Sequence, residues 1–256
     1  MDELKKIFQE YYTLNDIGGI LFWDNATYLP QNSSQSRSEQ LAVLSRLTDT
    51  TLRNDELDSL INNVRIADLS AHDKKNFNLM KEIINQENSV DPLLKEKLTR
   101  KKIECEQFWR LAKEKNDISI VSKAFNDVLS LTIEESKQLS VKSGKSPYDS
   151  LINKYDIDLS SSQIDKLFSV IRENIIPTYS EADKITNTRI PKINIKNSDL
   201  LENMKYFMKA LRFDFMRGRI DLSNHPFCGG ANDDIRITTR FEKNVFESLS
   251  ALFHES

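Results

Sequence analysis

Glycine and proline are scarce in this sequence, with six of each in 256 residues. Glycine-rich nucleotide folds and the closely spaced turns of all-β folds need more of both. Cysteine is scarcer still. Cys105 and Cys228 are too few for a disulfide framework, and they point to a reducing, cytoplasmic setting. Neither sign of charge dominates: 36 Lys and Arg stand against 39 Asp and Glu, a formal net charge of −3. That balance gives no electrostatic reason to expect nucleic acid or an anionic membrane as partner. No apolar run approaches the roughly 20 residues of a membrane span. The first residues, MDELKKIFQEYY, lack the apolar stretch of a signal peptide. There is no phosphate loop, no G-x-G-x-x-G and no G-x-S-x-G, and neither cysteine has a second one at metal-ligand spacing.

What the sequence does have is helical periodicity. Leu4, Ile7, Phe8, Tyr11, Leu14, Ile17 and Leu21 recur at steps of three and four, with Gly18–Gly19 read as an interruption. Residues 25–35 read as loop, after which Ser36 and Glu39 form a capping box. Asp91–Pro92 opens a long, half-exposed helix to about Lys115. Another follows from Ile120, punctuated by Gly144 and Pro147. Ser160 and Gln163 form a second capping box, and Pro177 ends or kinks the helix after it. Residues 185–198 read as loop or a short edge strand, and residues 200–211 as a further helix ending near Gly218.

The pattern changes beyond that point. Residues 221–234 are turn-rich. Ile235, Ile237, Thr239 and Phe241 alternate with polar residues, which is the strand period. Asn244 and Glu247 form a third capping box before a helix that reaches His254 and Glu255. The expected fold is mainly helical, all-α in class, elongated and grooved, with a short strand or hairpin near 234–241. The expected organisation is a helical body over 1–220 and a turn, strand and helix opening over 221–256, within one structural unit.

The His254–Glu255 dipeptide matches the start of H-E-x-x-H, in which two histidines four apart bind one zinc ion and the glutamate takes a proton from bound water. Position 258, where the second histidine falls in that pattern, is beyond the sequence. Three other stretches accompany it: residues 20–47, with WDNATYLP in W-D-x-x-T-Y-x-P register and the helix after it, HPF at 225–227, and DDIRITTR at 233–240 with Asp234, Arg236 and Thr238 in D-x-R-x-T register. Together, in this order and spacing, they resemble the carboxypeptidase Taq family of zinc metallocarboxypeptidases.

That resemblance implies a mostly helical fold around a deep groove and hydrolysis of the C-terminal peptide bond of peptides by metal-activated water. It implies His254 as a zinc ligand and Glu255 as the catalytic general base. His225, Pro226, Phe227, Asp234, Arg236 and Thr238 then line or support the substrate cleft. It also implies that the chain is the N-terminal half of a longer pattern, lacking the second histidine and a downstream glutamate ligand. On that reading the chain alone is inactive and retains no zinc, and it associates as a homodimer or with the missing half. Apolar faces such as Phe207 and Leu211 are expected to be exposed. The alternatives are one piece of a split enzyme, or a non-catalytic helical interaction module. Read as residues, HPF fits a packed turn as well as a cleft wall. Arg236 fits a plain salt bridge to Asp234 or Asp233 as well as substrate support.

Overall fold

The computed structural model describes residues 1–185, 193, 195–242 and 244–256. Helix α1 (Asp2–Thr27) is followed by a 3-10 turn (Gln31–Ser33), α2 (Ser34–Thr51), α3 (Asp55–Asn63), a second 3-10 turn (Ile66–Asp68) and α4 (Ala71–Glu87). Next come α5 (Pro92–Lys115), α6 (Ser119–Ser143), α7 (Pro147–Ile152), α8 (Ser161–Ile185) and α9 (Asn197–Ala210). The chain continues through β1 (Gly218–Leu222), β2 (Cys228–Ala231) and β3 (Asp234–Thr239) into α10 (Val245–His254). The mainly helical expectation is borne out, and the short strand expected near 234–241 is part of a hairpin.

Local signals set most helix ends. Asp91 caps α5 by accepting from the Leu93 amide at 2.9 Å, with Pro92 in the first turn. Ser160 and Gln163 form the expected reciprocal box: the Ser160 amide donates to Gln163 Oε1 (2.9 Å) and the Gln163 amide to Ser160 Oγ (3.4 Å). Gly144 closes α6 at φ +68°, the left-handed position glycine tolerates. Asn244 caps α10 through the Phe246 amide at 3.0 Å.

Four sequence expectations are corrected. Helix α1 runs unbroken through Gly18–Gly19. The loop expected at 25–35 is shorter, because α1 holds residues 25–27 and α2 starts at Ser34. Ser36 therefore lies inside α2 rather than capping it, and Glu39 pairs with Arg100 on α5 instead. Pro177 does not end α8, which continues to Ile185. This helix is exposed on all sides, so water can satisfy the carbonyl that loses its amide partner at a proline. Residues 186–192 and 194 of the stretch read as loop or edge strand lie outside the described residues, and residues 197–198 belong to α9.

Burial organises the chain around three apolar clusters. Leu4, Phe8, Leu52, Leu57, Phe77 and Ile84 join α1 to the α2–α4 region. Val90, Leu94, Leu98, Leu131 and Leu139 join α5 to α6. Leu200, Met204, Met208, Ile220, Ile237 and Leu252 join α9, the sheet and α10. Each such buried side chain contributes about 1.5–3 kcal/mol relative to exposure. The third cluster fixes the position of the last helix. Among the described residues, no helix is long and apolar enough to cross a membrane.

Candidate active site

The strand order is β1-β3-β2, with β3 parallel to β1 and antiparallel to β2. Successive strand residues point to opposite faces. Asp234, Arg236 and Thr238 therefore share one face, and the register adds Arg219 beside Arg236 and Asp221 beside Thr238. Ile220 and Ile237 point the other way, into the core with Leu252. The D-x-R-x-T pattern is thus one polar sheet face.

That face meets the WDNATYLP segment. Arg236 donates to both carboxylate oxygens of Asp234, at 2.7 and 2.6 Å, and its guanidinium sits 4.0 Å from the centroid of the Trp23 ring. Arg219 makes the same fork to Asp221, at 2.6 and 2.7 Å, and lies 5.0 Å from the same ring. Tyr28 donates to Asp221 at 2.7 Å. The Arg236 fork holds the Asp234 carboxyl below the usual carboxylate range, whereas the bond to Asp221 pushes the Tyr28 hydroxyl up. Asp24 points elsewhere and accepts from buried Arg37 of α2 at 2.7 Å. Of the two sequence readings of Arg236, the ion pair to Asp234 is the contact observed.

Thr238 is fully buried and organises the HPF turn. Its hydroxyl accepts from the Phe227 amide (2.9 Å) and lies 2.8 Å from Ser223 Oγ. The Thr238 amide donates to the Phe227 carbonyl at 2.8 Å. Lys113 of α5 donates to the Asn224 carbonyl at 2.7 Å, tying the turn to α5. Pro226 is buried, and Phe227 packs edge-on against Phe22 of α1 at 5.6 Å. His225 is exposed, and with Phe227, Phe22, Trp109 and Arg110 it lines a pocket of about 280 Å³. The turn is therefore both packed and part of a pocket wall.

His254 is the last residue of α10 and is exposed; Glu255 follows it, half-buried. Burial, and secondarily the Glu255 charge, push up the thiol of Cys228, the residue directly after HPF. Helix α10 is held in place because Leu252 is fully buried and Ser248, also buried, accepts from the Glu242 amide at 2.8 Å. Among the described residues, no hydrogen bond or ion pair engages the His254 ring, and no three His, Cys, Asp or Glu side chains converge as a metal-binding group.

Sequence reasoning missed two contributors to this region. Strand β1 went unread, so Arg219 and Asp221 were not singled out; the alternation in RIDL was the available signal, and it is short. The close approach of α1 to β2 was missed as well. A Cβ on Gly19 would lie 2.5 Å from the Gly230 carbonyl oxygen, and Gly230 itself adopts φ +94°.

Residues 3–256 match the family described as carboxypeptidase Taq (M32) metallopeptidase. The chain is 28% identical to carboxypeptidase 1 of Bacillus subtilis over 250 residues, which cover 92% of this chain and 48% of that protein. It is 24% identical to thermostable carboxypeptidase 1 of Pyrococcus furiosus, across 99% of this chain and 53% of the relative. The structure of Trypanosoma cruzi metallocarboxypeptidase 1 superposes with a TM-score of 0.81 at 27% identity, covering 99% of this chain and 52% of that one. The chain spans about half the length of the relatives it matches. With the family pattern running nearly end to end and the fold superposing on a metallocarboxypeptidase of known structure, the chain belongs to the carboxypeptidase Taq metallopeptidase family.

Proposed function

We propose that these residues form the scaffold portion of a metallocarboxypeptidase that trims peptides from their C-terminus. Glu255 is its proton acceptor and His254 one of its metal ligands. The observation that carries this reading is the His254–Glu255 pair at the end of a helix anchored in the core through Leu252, in a chain of this family. An ionised carboxylate is acceptor-only, which suits Glu255 to taking a proton from an attacking water. The HPF turn walls the peptide cleft through His225 and Phe227, with Pro226 setting its extended entry. Asp234, Arg236 and Thr238 hold that wall in place. A cytoplasmic setting fits the two free cysteines.

Zinc, the ion implied by the resemblance, supplies Lewis acidity when bound, and protein zinc sites use three or four side-chain ligands. The described residues alone do not fit it, because His254 and Glu255 bring one imidazole and one carboxylate with no third partner. The 256 residues by themselves are therefore inactive, and peptide trimming needs a polypeptide that brings the other ligands. The test is metal content and peptide trimming of the purified chain after incubation with zinc and gel filtration. Metal well below one equivalent and no trimming are expected. One tightly held equivalent together with release of C-terminal residues overturns the proposal.

A further inference from the structure

Helix α8 carries an apolar stripe that nothing among the described residues covers. Ile164, Leu167, Phe168, Ile171, Ile175 and Tyr179 fall at helical spacing on one side. Lys166, Glu173 and Lys184 hold the opposite side. No side chain from 161 to 184 is buried, and Phe168 and Ile175 are each 57% exposed. The helix meets α7 near its start. Single exposed apolar residues are ordinary on a soluble surface, but a continuous stripe along a 25-residue helix marks an interaction surface.

The relatives are about twice as long as this chain. The Trypanosoma cruzi structure aligns with 99% of this chain while only 52% of that longer chain is matched, so about half of that chain lies beyond the matched framework. We propose that the α8 stripe docks the polypeptide that supplies the rest of this family's fold, through an amphipathic helix presenting a complementary apolar face. The stripe is flanked by charges of both signs, such as Asp165 and Arg172, so the contact is apolar in origin and insensitive to salt. The proposal rests on the family reading above, but not on its peptidase chemistry.

The test is co-expression of this chain, carrying an affinity tag, with the part of Bacillus subtilis carboxypeptidase 1 that it does not match. Complex formation is then followed by sedimentation velocity. A one-to-one complex is expected, with little change between low and high salt. Ile171→Glu with Ile175→Glu on the exposed face should weaken it by roughly tenfold or more. Val141→Glu, on the exposed side of α6, should not. A complex that the double variant leaves intact overturns the proposal. So does a dimer of this chain alone that the double variant converts to monomer, because the occupant is then a second copy. To cover the case in which the relative's portion does not fold separately, the same portion is joined covalently after residue 256 and amide hydrogen exchange of α8 is compared with the isolated chain. Slower exchange along 164–179 is expected, and unchanged exchange overturns the docking. None of these measurements depends on hydrolysis, so a complex that forms but trims no peptide supports the docking and tells against the proposed chemistry.

Discussion

The Arg236 guanidinium lies 4.0 Å from the centroid of the Trp23 ring while both of its bonds to Asp234 stay intact. One arginine thus links the WD segment at the end of α1 to the sheet that carries D-x-R-x-T. The planar guanidinium suits both tasks, since it forks onto a carboxylate and stacks on an aromatic face; a lysine ammonium does neither well. Arg236→Lys should cost about 1–3 kcal/mol, and Trp23→Ala about 3–5 kcal/mol. The two losses should not add, because the substitutions share one contact. Urea unfolding of the single and double variants checks this, and strictly additive losses contradict the linkage.

Gly18 and Gly19 are adjacent but should respond oppositely to alanine. A Cβ on Gly18 meets only Leu44 Cδ2, at 3.5 Å, an ordinary contact. Relief of mid-helix glycine entropy should therefore make Gly18→Ala neutral to stabilising by about 0.5–1 kcal/mol. Gly19→Ala drives its methyl against the β2 backbone and should destabilise by about 1–3 kcal/mol. Thermal unfolding of the two variants separates them. Equal shifts would mean that α1 and β2 are not in close contact.

Thr238 should tolerate serine better than valine. Valine keeps the shape but removes the hydroxyl that accepts from the Phe227 amide. Leaving that donor unpaired beside a fully buried position costs about 1–3 kcal/mol. Serine keeps the hydroxyl and loses only a methyl group. Hydrogen exchange at the Phe227 amide should accelerate in Thr238→Val and stay slow in Thr238→Ser.

Acid should loosen the sheet face through Asp234. Its carboxyl is held low chiefly by hydrogen bonds from Arg236, with the Arg236 and Arg219 charges assisting against partial desolvation. Its folded pKa lies below the unfolded one, so the folded state binds fewer protons. The stabilisation is complete above roughly pH 4 and is lost as the pH falls through the lower folded value. Asp234→Asn should flatten stability against pH in that acid window and leave the slope near pH 7 unchanged. An unaltered acid limb in the variant contradicts this account.

Seven of the ten helices among the described residues were legible, α3, α4 and α7 going unread, and the ends that were legible have local determinants. Asp91–Pro92, Ser160 with Gln163, and the 244–254 segment act within a turn or two of chain. The misreadings came from determinants distant in sequence. Gly18–Gly19 reads as a break on local cost, but the reason for Gly19 is the Gly230 carbonyl more than 200 residues later. Strand β1 went unread because it becomes a strand by pairing with β3 across an intervening turn. The site motifs were legible as patterns. That Arg236 stacks on Trp23 and that Thr238 pins the HPF turn required the sheet register, which no single segment encodes.

Glu255 is the proposed proton acceptor of a peptidase that these residues help to build. The most direct test of that role joins residues 1–256 to the part of Bacillus subtilis carboxypeptidase 1 they do not match and follows release of C-terminal residues from an N-terminally blocked peptide. Cleavage is expected, with E255Q lowering kcat by about 10²–10⁴-fold while metal content and folding are unchanged. An E255Q chimera that cleaves as fast as its parent would contradict the claim.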